Sequence, residues 1–156
     1  MRHAPAGGRP PNGSDRDRPL TPAGLRTGAL LSGRLKADAI MAQLILCSPA
    51  RRTKETLDCL LADFGPSVRV EIADWLYLAD ARTLLAQLRE ISEDTESVLI
   101  VGHNPGIEEL ARWLSPGRGR ALDAGFPPAG LAIFEITGTW QGLSRAKARL
   151  SSFLTL

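Results

Sequence analysis

A chain of 156 residues is long enough for one domain with a real core and too short for two ordinary ones, and 44% hydrophobic with 23% charged residues excludes a disordered or fibrous class. The net charge of +2 is too small to argue for a nucleic-acid partner, and arginine accounts for most of the basic residues, which suits small planar oxyanions. No apolar run approaches the ~20 residues of a membrane span and no signal-peptide core opens the chain, so the residues predict a cytoplasmic protein without a membrane partner.

In chain order, residues 5 to 20 (PAGGRPPNGSDRDRPL) are rich in Pro, Gly and charge and read as a loop. Thr21 as N-cap and Pro22 at the first helical position predict a helix with Leu25, Ala29, Leu31 and Leu35 on its apolar face. The run LILCS predicts a strand ending at Ser48-Pro49, again a cap and a first-turn proline. The helix that follows carries Leu57, Leu60, Leu61 and Phe64 and stops at Gly65-Pro66. VRVEIA alternates as a strand does. Asp80 caps a third helix striped by Leu84, Leu85, Leu88 and Ile91, and SVLIVGH predicts a buried strand. A helix starting near Pro105 (Ile107, Leu110, Ala111, Leu114) breaks at Ser115-Pro116-Gly117. A Gly- and Pro-rich loop then runs to Gly130, LAIFEI predicts a strand, and RAKARLSSFL predicts a weaker final one. Strands alternating with helices predict a single α/β domain over residues 1–156, an open sheet apolar on both faces and covered by helices on each, with ligands outside the carboxyl ends of the strands. Cys47 and Cys59 have neither metal-ligand spacing nor the density of a disulfide scaffold, which predicts buried thiols in a reducing compartment and no structural zinc. Trp75, Trp113 and Trp140 each adjoin an apolar segment and predict packing.

Three places carry polar chemistry. In CSPARRTKETL the strand ends at Cys47 and the helix begins at Ser48, so Arg51 and Arg52 both fall in or beside its first turn, the helix end with partial positive charge. Each misplaced cation costs roughly 0.3 to 1 kcal/mol, so the pair implies a compensating anion; solvent or Glu55 is the alternative partner for either one. In VGHNPG, His103 sits directly after an apolar strand and before a helix, where an α/β fold presents side chains and free N–H groups to an anionic ligand. The only other histidine is His3, beside Arg2. Phosphate is the anion that uses both kinds of side chain. Arg18, in DRDRPLT, is either a substrate contact or a partner of Asp15 or Asp17. The sequence has no GKS, GKT or GxGxxG run, which excludes a nucleotide-cradling loop.

RHA at the start, RPLT before the first helix, SPARR opening the second and GHNPG late in the chain, in that order and spacing, resemble the histidine phosphatase superfamily, and within it the small protein-phosphohistidine phosphatases of bacteria. The resemblance implies a three-layer, phosphoglycerate mutase-like α/β fold with a mostly parallel open sheet. It implies that His3 is the nucleophile and that Arg2, Arg52 and His103 complete the phosphate pocket, Arg52 being chosen over Arg51 by the pattern Ser-Pro, two residues, Arg. It also implies that Arg18 faces the pocket as a substrate-binding residue. An imidazole with a pKa of ~6.5 is largely neutral at pH 7, so His3 can attack phosphorus without a separate base, and the pocket's cations can stabilise the transition state with no metal or other cofactor. The expected cycle is phosphoryl transfer to His3 and then hydrolysis, on phosphohistidine in a protein partner or on a small phosphorylated metabolite. The alternative is a domain of the same fold that binds phosphorylated ligands without turnover.

Two features depart from the family pattern. Many members carry a glutamate general acid after the third strand; here the corresponding segment is IADWLYLAD, in which Asp74 and Asp80 are the candidates. A site without a firm acid favours good leaving groups, such as imidazole or an aryl oxide. Members also place an apolar strand before the Arg-His pair, whereas here the pair follows Met1 directly, so the resemblance implies a further strand upstream of Met1.

Overall fold

The computed structural model describes residues 1–65, 67–116 and 120–156. In chain order its elements are a 3-10 turn at Asp15–Asp17, α1 (Pro22–Ala37), β1 (Leu44–Cys47), α2 (Arg51–Phe64), β2 (Arg69–Ile72), a 3-10 turn at Asp74–Leu76, α3 (Ala81–Arg89), β3 (Val98–Val101), α4 (Gly106–Leu114), a short α5 (Arg120–Asp123), β4 (Leu131–Ile136) and β5 (Ala148–Leu154). β1 pairs in parallel with β2 on one side and β3 on the other, while β4 and β5 form an antiparallel pair of their own.

All four residues of β1 are buried, and they alternate between two cores. Ile45 and Cys47 pack with Leu31 and Leu35 of α1 and with Leu57 and Leu60 of α2, whereas Leu44 and Leu46 pack with Leu84 and Leu88 of α3 and with Leu110 of α4. Period-2 alternation on a strand buried on both sides thus builds three layers, helices over each face of a parallel sheet, as expected. The three tryptophans lie against the second core. Cys47 is fully buried and its thiol is pushed up to about 12 by that burial, while Cys59 is part-buried.

Several elements differ from their sequence reading. Thr21 caps α1, accepting from Gly24 N at 2.9 Å, but Leu25 is 50% exposed and the buried face is Gly24, Gly28, Leu31, Ser32 and Leu35. A Cβ on Gly24 would sit 2.0 Å from the Pro5 carbonyl oxygen and one on Gly28 2.8 Å from Cys59 Sγ, so α1 meets the N-terminal segment and α2 through glycines, which an apolarity pattern does not register. α2 starts at Arg51 after Ala50, which offers no side-chain cap, and the expected cap Ser48 lies two residues earlier, where its Oγ accepts from Ala50 N only at 3.5 Å and is 2.7 Å from His103 Nε2. β2 is exposed along its whole length, so the sheet is not apolar on both faces at that edge; both cores are built over β1 and β3. The loop read between α4 and β4 contains α5. Pro66 and Gly117, parts of two expected helix stops, lie outside the described residues.

β3 and β4 face each other across a cavity of about 630 Å³ lined by Leu99 and Ile100, by Leu131 and Ile133, and by Met1 and Phe126. Among the described strands β3 pairs only with β1 and β4 only with β5, so each turns an unpaired edge to the cavity. At one end residues 1–3 bridge the two. Arg2 pairs in parallel with Gly102, just past β3, and its N–H donates to Gly130 O at 3.0 Å, just before β4.

Candidate active site

The site lies where the first residues of the chain cross the carboxyl ends of β1 and β3. His3 N donates to Gly102 O at 3.1 Å, Gly102 N to Met1 O at 3.0 Å and Ala129 N to His3 O at 3.0 Å, so the backbone under Arg2 and His3 is clamped from both sides. Ala4 is fully buried and its N–H donates to Thr56 Oγ1 at 3.0 Å, which ties this segment to α2.

The two histidines present their rings edge to face, with centroids 5.4 Å apart. His3 Nδ1 lies 2.7 Å from Ala4 O; a carbonyl only accepts, so Nδ1 carries the hydrogen and Nε2 keeps a free lone pair. His103 is different: Arg52 Nη2 donates to its Nδ1 at 3.3 Å, so its Nε2 carries the hydrogen and donates to Ser48 Oγ at 2.7 Å. Both of its nitrogens are engaged. Burial, and then the positive charges of Arg52, Arg2 and Arg18, push the His3 imidazole down to about 4 against the pull of its bond to Ala4. Burial and Arg52 push His103 down to about 3. Both rings are neutral at pH 7.

Arg52 is only 2% exposed. Its Nη1 donates to Asp15 O at 2.7 Å and its Nη2 to Asp15 Oδ2 at 2.9 Å. Arg2 Nη1 donates to Phe126 O at 2.7 Å, and Arg18 donates from Nε to Gly7 O at 2.8 Å and from Nη1 to Asp15 Oδ1 at 3.1 Å. The Nε of Arg2 and of Arg52 are buried without a hydrogen-bond partner. A buried guanidinium N–H left unpaired costs several times what an exposed one does, and the charges of both arginines act on the His3 imidazole, an arrangement suited to an anion. Arg51, by contrast, points outward and pairs with Glu55 at 2.6 Å. Of the two arginines at the start of α2, only Arg52 reaches the site.

A family model of the histidine phosphatase superfamily (branch 1) matches residues 1–76. An uncharacterized protein of Mycobacterium leprae is 35% identical over 162 aligned residues, covering 98% of each chain. Phosphohistidine phosphatase SixA of Escherichia coli is 31% identical over 109 aligned residues, 67% of this chain and 66% of its own. The structure of a candidate phosphohistidine phosphatase SixA from Nakamurella multipartitia matches with a TM-score of 0.87 at 30% identity over 99% of this chain and 92% of that one. The chain belongs to the histidine phosphatase superfamily.

In this histidine phosphatase the acidic candidates of the IADWLYLAD segment stand apart from the histidines. Asp74 has a side chain 87% exposed and pairs with Arg16 at 3.5 Å. Asp80 caps α3, accepting from Thr83 N at 2.8 Å, and acts there as a helix cap. Three residues that sequence reasoning did not place in the site belong to it: Ser48, Asp15 and Tyr77. The Tyr77 hydroxyl donates to Asp15 Oδ2 at 2.7 Å and its ring lies edge-on to His103, centroids 5.5 Å apart. Asp15 showed in the sequence only as a possible partner of Arg18, which it also is. Among the described residues no group of three or more His, Cys, Asp or Glu side chains is placed to hold a metal ion, and no helix is long and apolar enough to cross a membrane.

The depressed imidazoles set a pH dependence of stability. Unfolded, both histidines take up protons near pH ~6.5; folded, they stay neutral until about 4 and about 3. Between those limits the unfolded chain binds more protons, so their contribution is complete above pH ~6.5 and is lost as the pH falls through that window. The urea midpoint of this phosphatase is expected to drop between pH 7 and 4.5, and to drop less in His103→Gln. Equal drops in the two proteins would show that His103 is not held neutral by the fold.

Proposed function

We propose that this chain is a cytoplasmic phosphatase that works without a metal, through a phosphohistidine on His3, on phosphohistidine in a protein partner or on a small phosphoester with a good leaving group. One observation carries the reading: His3, with its Nε2 lone pair open, lies in the field of Arg2 and Arg52, each of which holds a buried Nε–H without a partner. In the first half-reaction His3 Nε2 forms a bond to phosphorus while the bond from phosphorus to the leaving group breaks, and the leaving group departs with that electron pair. The Nδ1–H bond to Ala4 O directs Nε2 and steadies the positive charge of the phosphorylated ring. In the second half-reaction water attacks phosphorus, the N–P bond breaks, and phosphate leaves with the imidazole neutral again. Phosphoryl transfer is mainly positioning and stabilisation of charge on the equatorial oxygens, for which Arg2, Arg52 and Arg18 supply N–H donors.

Neither Asp74 nor Asp80 hydrogen-bonds into the site, and Asp15 is held well below the usual carboxylate range by the Tyr77 hydroxyl, Arg18 and Arg52, so it stays ionised and has no proton to give. That supports substrates whose leaving group needs little acid assistance. The name of the Escherichia coli relative, a phosphohistidine phosphatase, points the same way. The test is turnover, in EDTA, of a phosphohistidine peptide, an aryl phosphate and a sugar phosphate. The first two are expected to react and the third to be at least about 100-fold slower. Activity lost in EDTA and restored by a divalent ion would overturn the metal-free reading, equal rates on the sugar phosphate would overturn the leaving-group reading, and phosphate binding without turnover would identify a binding domain.

A further inference from the structure

One carboxylate gathers the polar groups around Arg52. Asp15 sits in the 3-10 turn Asp15–Asp17, where its Oδ2 accepts from both Arg52 Nη2 and the Tyr77 hydroxyl, its Oδ1 from Arg18 Nη1, and its backbone oxygen from Arg52 Nη1. A guanidinium has two usable edges, and here a single residue occupies the Nη1–Nη2 edge, while on the inner edge Nη2 also donates to His103 Nδ1 at 3.3 Å and the buried Nε has no partner. We propose that Asp15 is a positioning residue: it grips Arg52 by the outer edge and so holds the guanidinium's inner edge against His103 at the phosphoryl site, while Tyr77 shares Oδ2 with Arg52 and Arg18 holds Oδ1. The inference rests on the phosphatase reading above.

Two features favour a grip over a plug that sits in the substrate's place. Half of the hold on Arg52 is a backbone carbonyl, and the turn that carries it is closed by Ser14, whose N–H and hydroxyl both donate to Asp17 Oδ2, at 2.6 and 2.8 Å. Tyr77 is itself backed by Arg16, whose guanidinium carbon lies 4.4 Å from the ring centroid. Asp15 also answers the anion implied by an arginine at a helix N-terminus: part of the compensation is internal and permanent, and it keeps a charge buried to 2% exposure from standing uncompensated in the resting enzyme.

The experiment compares wild type, Asp15→Asn, Tyr77→Phe and, as a control for the turn alone, Asp17→Asn. It measures kcat and KM on an aryl phosphate, tungstate affinity by calorimetry, and melting midpoints. Asp15 has a side chain 45% exposed, and asparagine keeps its shape and one acceptor oxygen, so the fold is expected to survive the change. Asp15→Asn is expected to lower kcat by roughly 10- to 100-fold, the scale of a misaligned transition-state donor, with KM little changed and the midpoint lowered, because Arg52 loses its counter-charge. Tyr77→Phe is expected to lower kcat by a smaller factor, and Asp17→Asn, whose amide oxygen can still accept from Ser14 and so keeps the turn closed, to leave it unchanged. Tighter tungstate binding and a lower KM in Asp15→Asn at unchanged kcat would make Asp15 a plug and overturn the proposal. So would wild-type kinetics in Asp15→Asn, or an equal fall of kcat in Asp17→Asn. A wild-type protein that neither binds tungstate nor turns over would remove the phosphatase reading and this inference together, whereas an active wild type beside an unaffected Asp15→Asn removes this inference alone. If Asp15→Asn folds poorly, Tyr77→Phe decides, since its kcat must fall if the grip matters.

Discussion

Replacing His3 by alanine is expected to end turnover of an aryl phosphate, with kcat falling at least about 10³-fold, which is ~4 kcal/mol of barrier, and to end formation of an acid-labile phosphoenzyme. The fold offers one imidazole nitrogen able to attack. His103 has its Nδ1 occupied by Arg52 and its Nε2 hydrogen committed to Ser48, whereas His3 uses only Nδ1, toward Ala4 O, and leaves Nε2 open. Burial and three nearby arginines hold His3 near a pKa of about 4, so essentially every molecule has the neutral, nucleophilic ring at pH 7. The same cations that disfavour its protonation lie where a phosphoryl group gathers negative charge, so one electrostatic arrangement serves both ends. Alanine keeps the backbone clamp between Gly102 and Ala129 intact, since both of its bonds are made by main-chain atoms of residue 3. Rapid-quench labelling with radioactive substrate reads the result directly. Label lost in His3→Ala and retained in His103→Ala supports the assignment; the reverse pattern moves the nucleophile to His103, and label on neither removes a phosphohistidine intermediate.

A strand supplied ahead of Met1 is expected to raise the melting midpoint by at least about 4 to 8 °C, the equivalent of ~2 kcal/mol for a domain of this size. The cavity between β3 and β4 has the shape for it. Arg2 pairs in parallel with Gly102, and the contacts of Arg2 with Gly130 and of His3 with Ala129 run in the opposite sense, so a chain entering Met1 would lie parallel to β3 and antiparallel to β4. Five apolar residues placed there gain ~1.5–3 kcal/mol each from burial and give back ~1–2 kcal/mol each in backbone order plus up to about 1 kcal/mol of side-chain order. Those quantities nearly cancel. The sign is then set by the ladder bonds on two unpaired edges, at ~1 kcal/mol each. Fusing five valine- and isoleucine-rich residues before Met1, against a Gly-Ser fusion of equal length, tests this by calorimetry. Equal midpoints for the two fusions would mean that the cavity does not accept a strand.

What the amino-acid sequence determined by itself is local. Thr21 and Asp80 cap the helices they precede, the runs LILC and VLIV become strands between helix layers, the first buried and the second half-buried at alternate residues, and Arg2, His3, Arg18, Arg52 and His103 stand at loop and helix-start positions, because each of these outcomes depends on neighbours a few residues away. The four motifs in order were enough to name the superfamily and to separate Arg52 from Arg51. The tertiary structure alone decided the rest. Ser48 serves His103 across 55 positions, Asp15 reaches Arg52 across 37 and Tyr77 across 62, and α1 buries Gly24 and Gly28 beside Leu31 and Leu35 where Leu25 and Ala29 were expected. No window along the chain holds both partners of such a contact. Which nitrogen of each histidine is free follows from those contacts as well, and so the identity of the attacking atom, the finest detail of the site, became legible only when the chain had closed on itself.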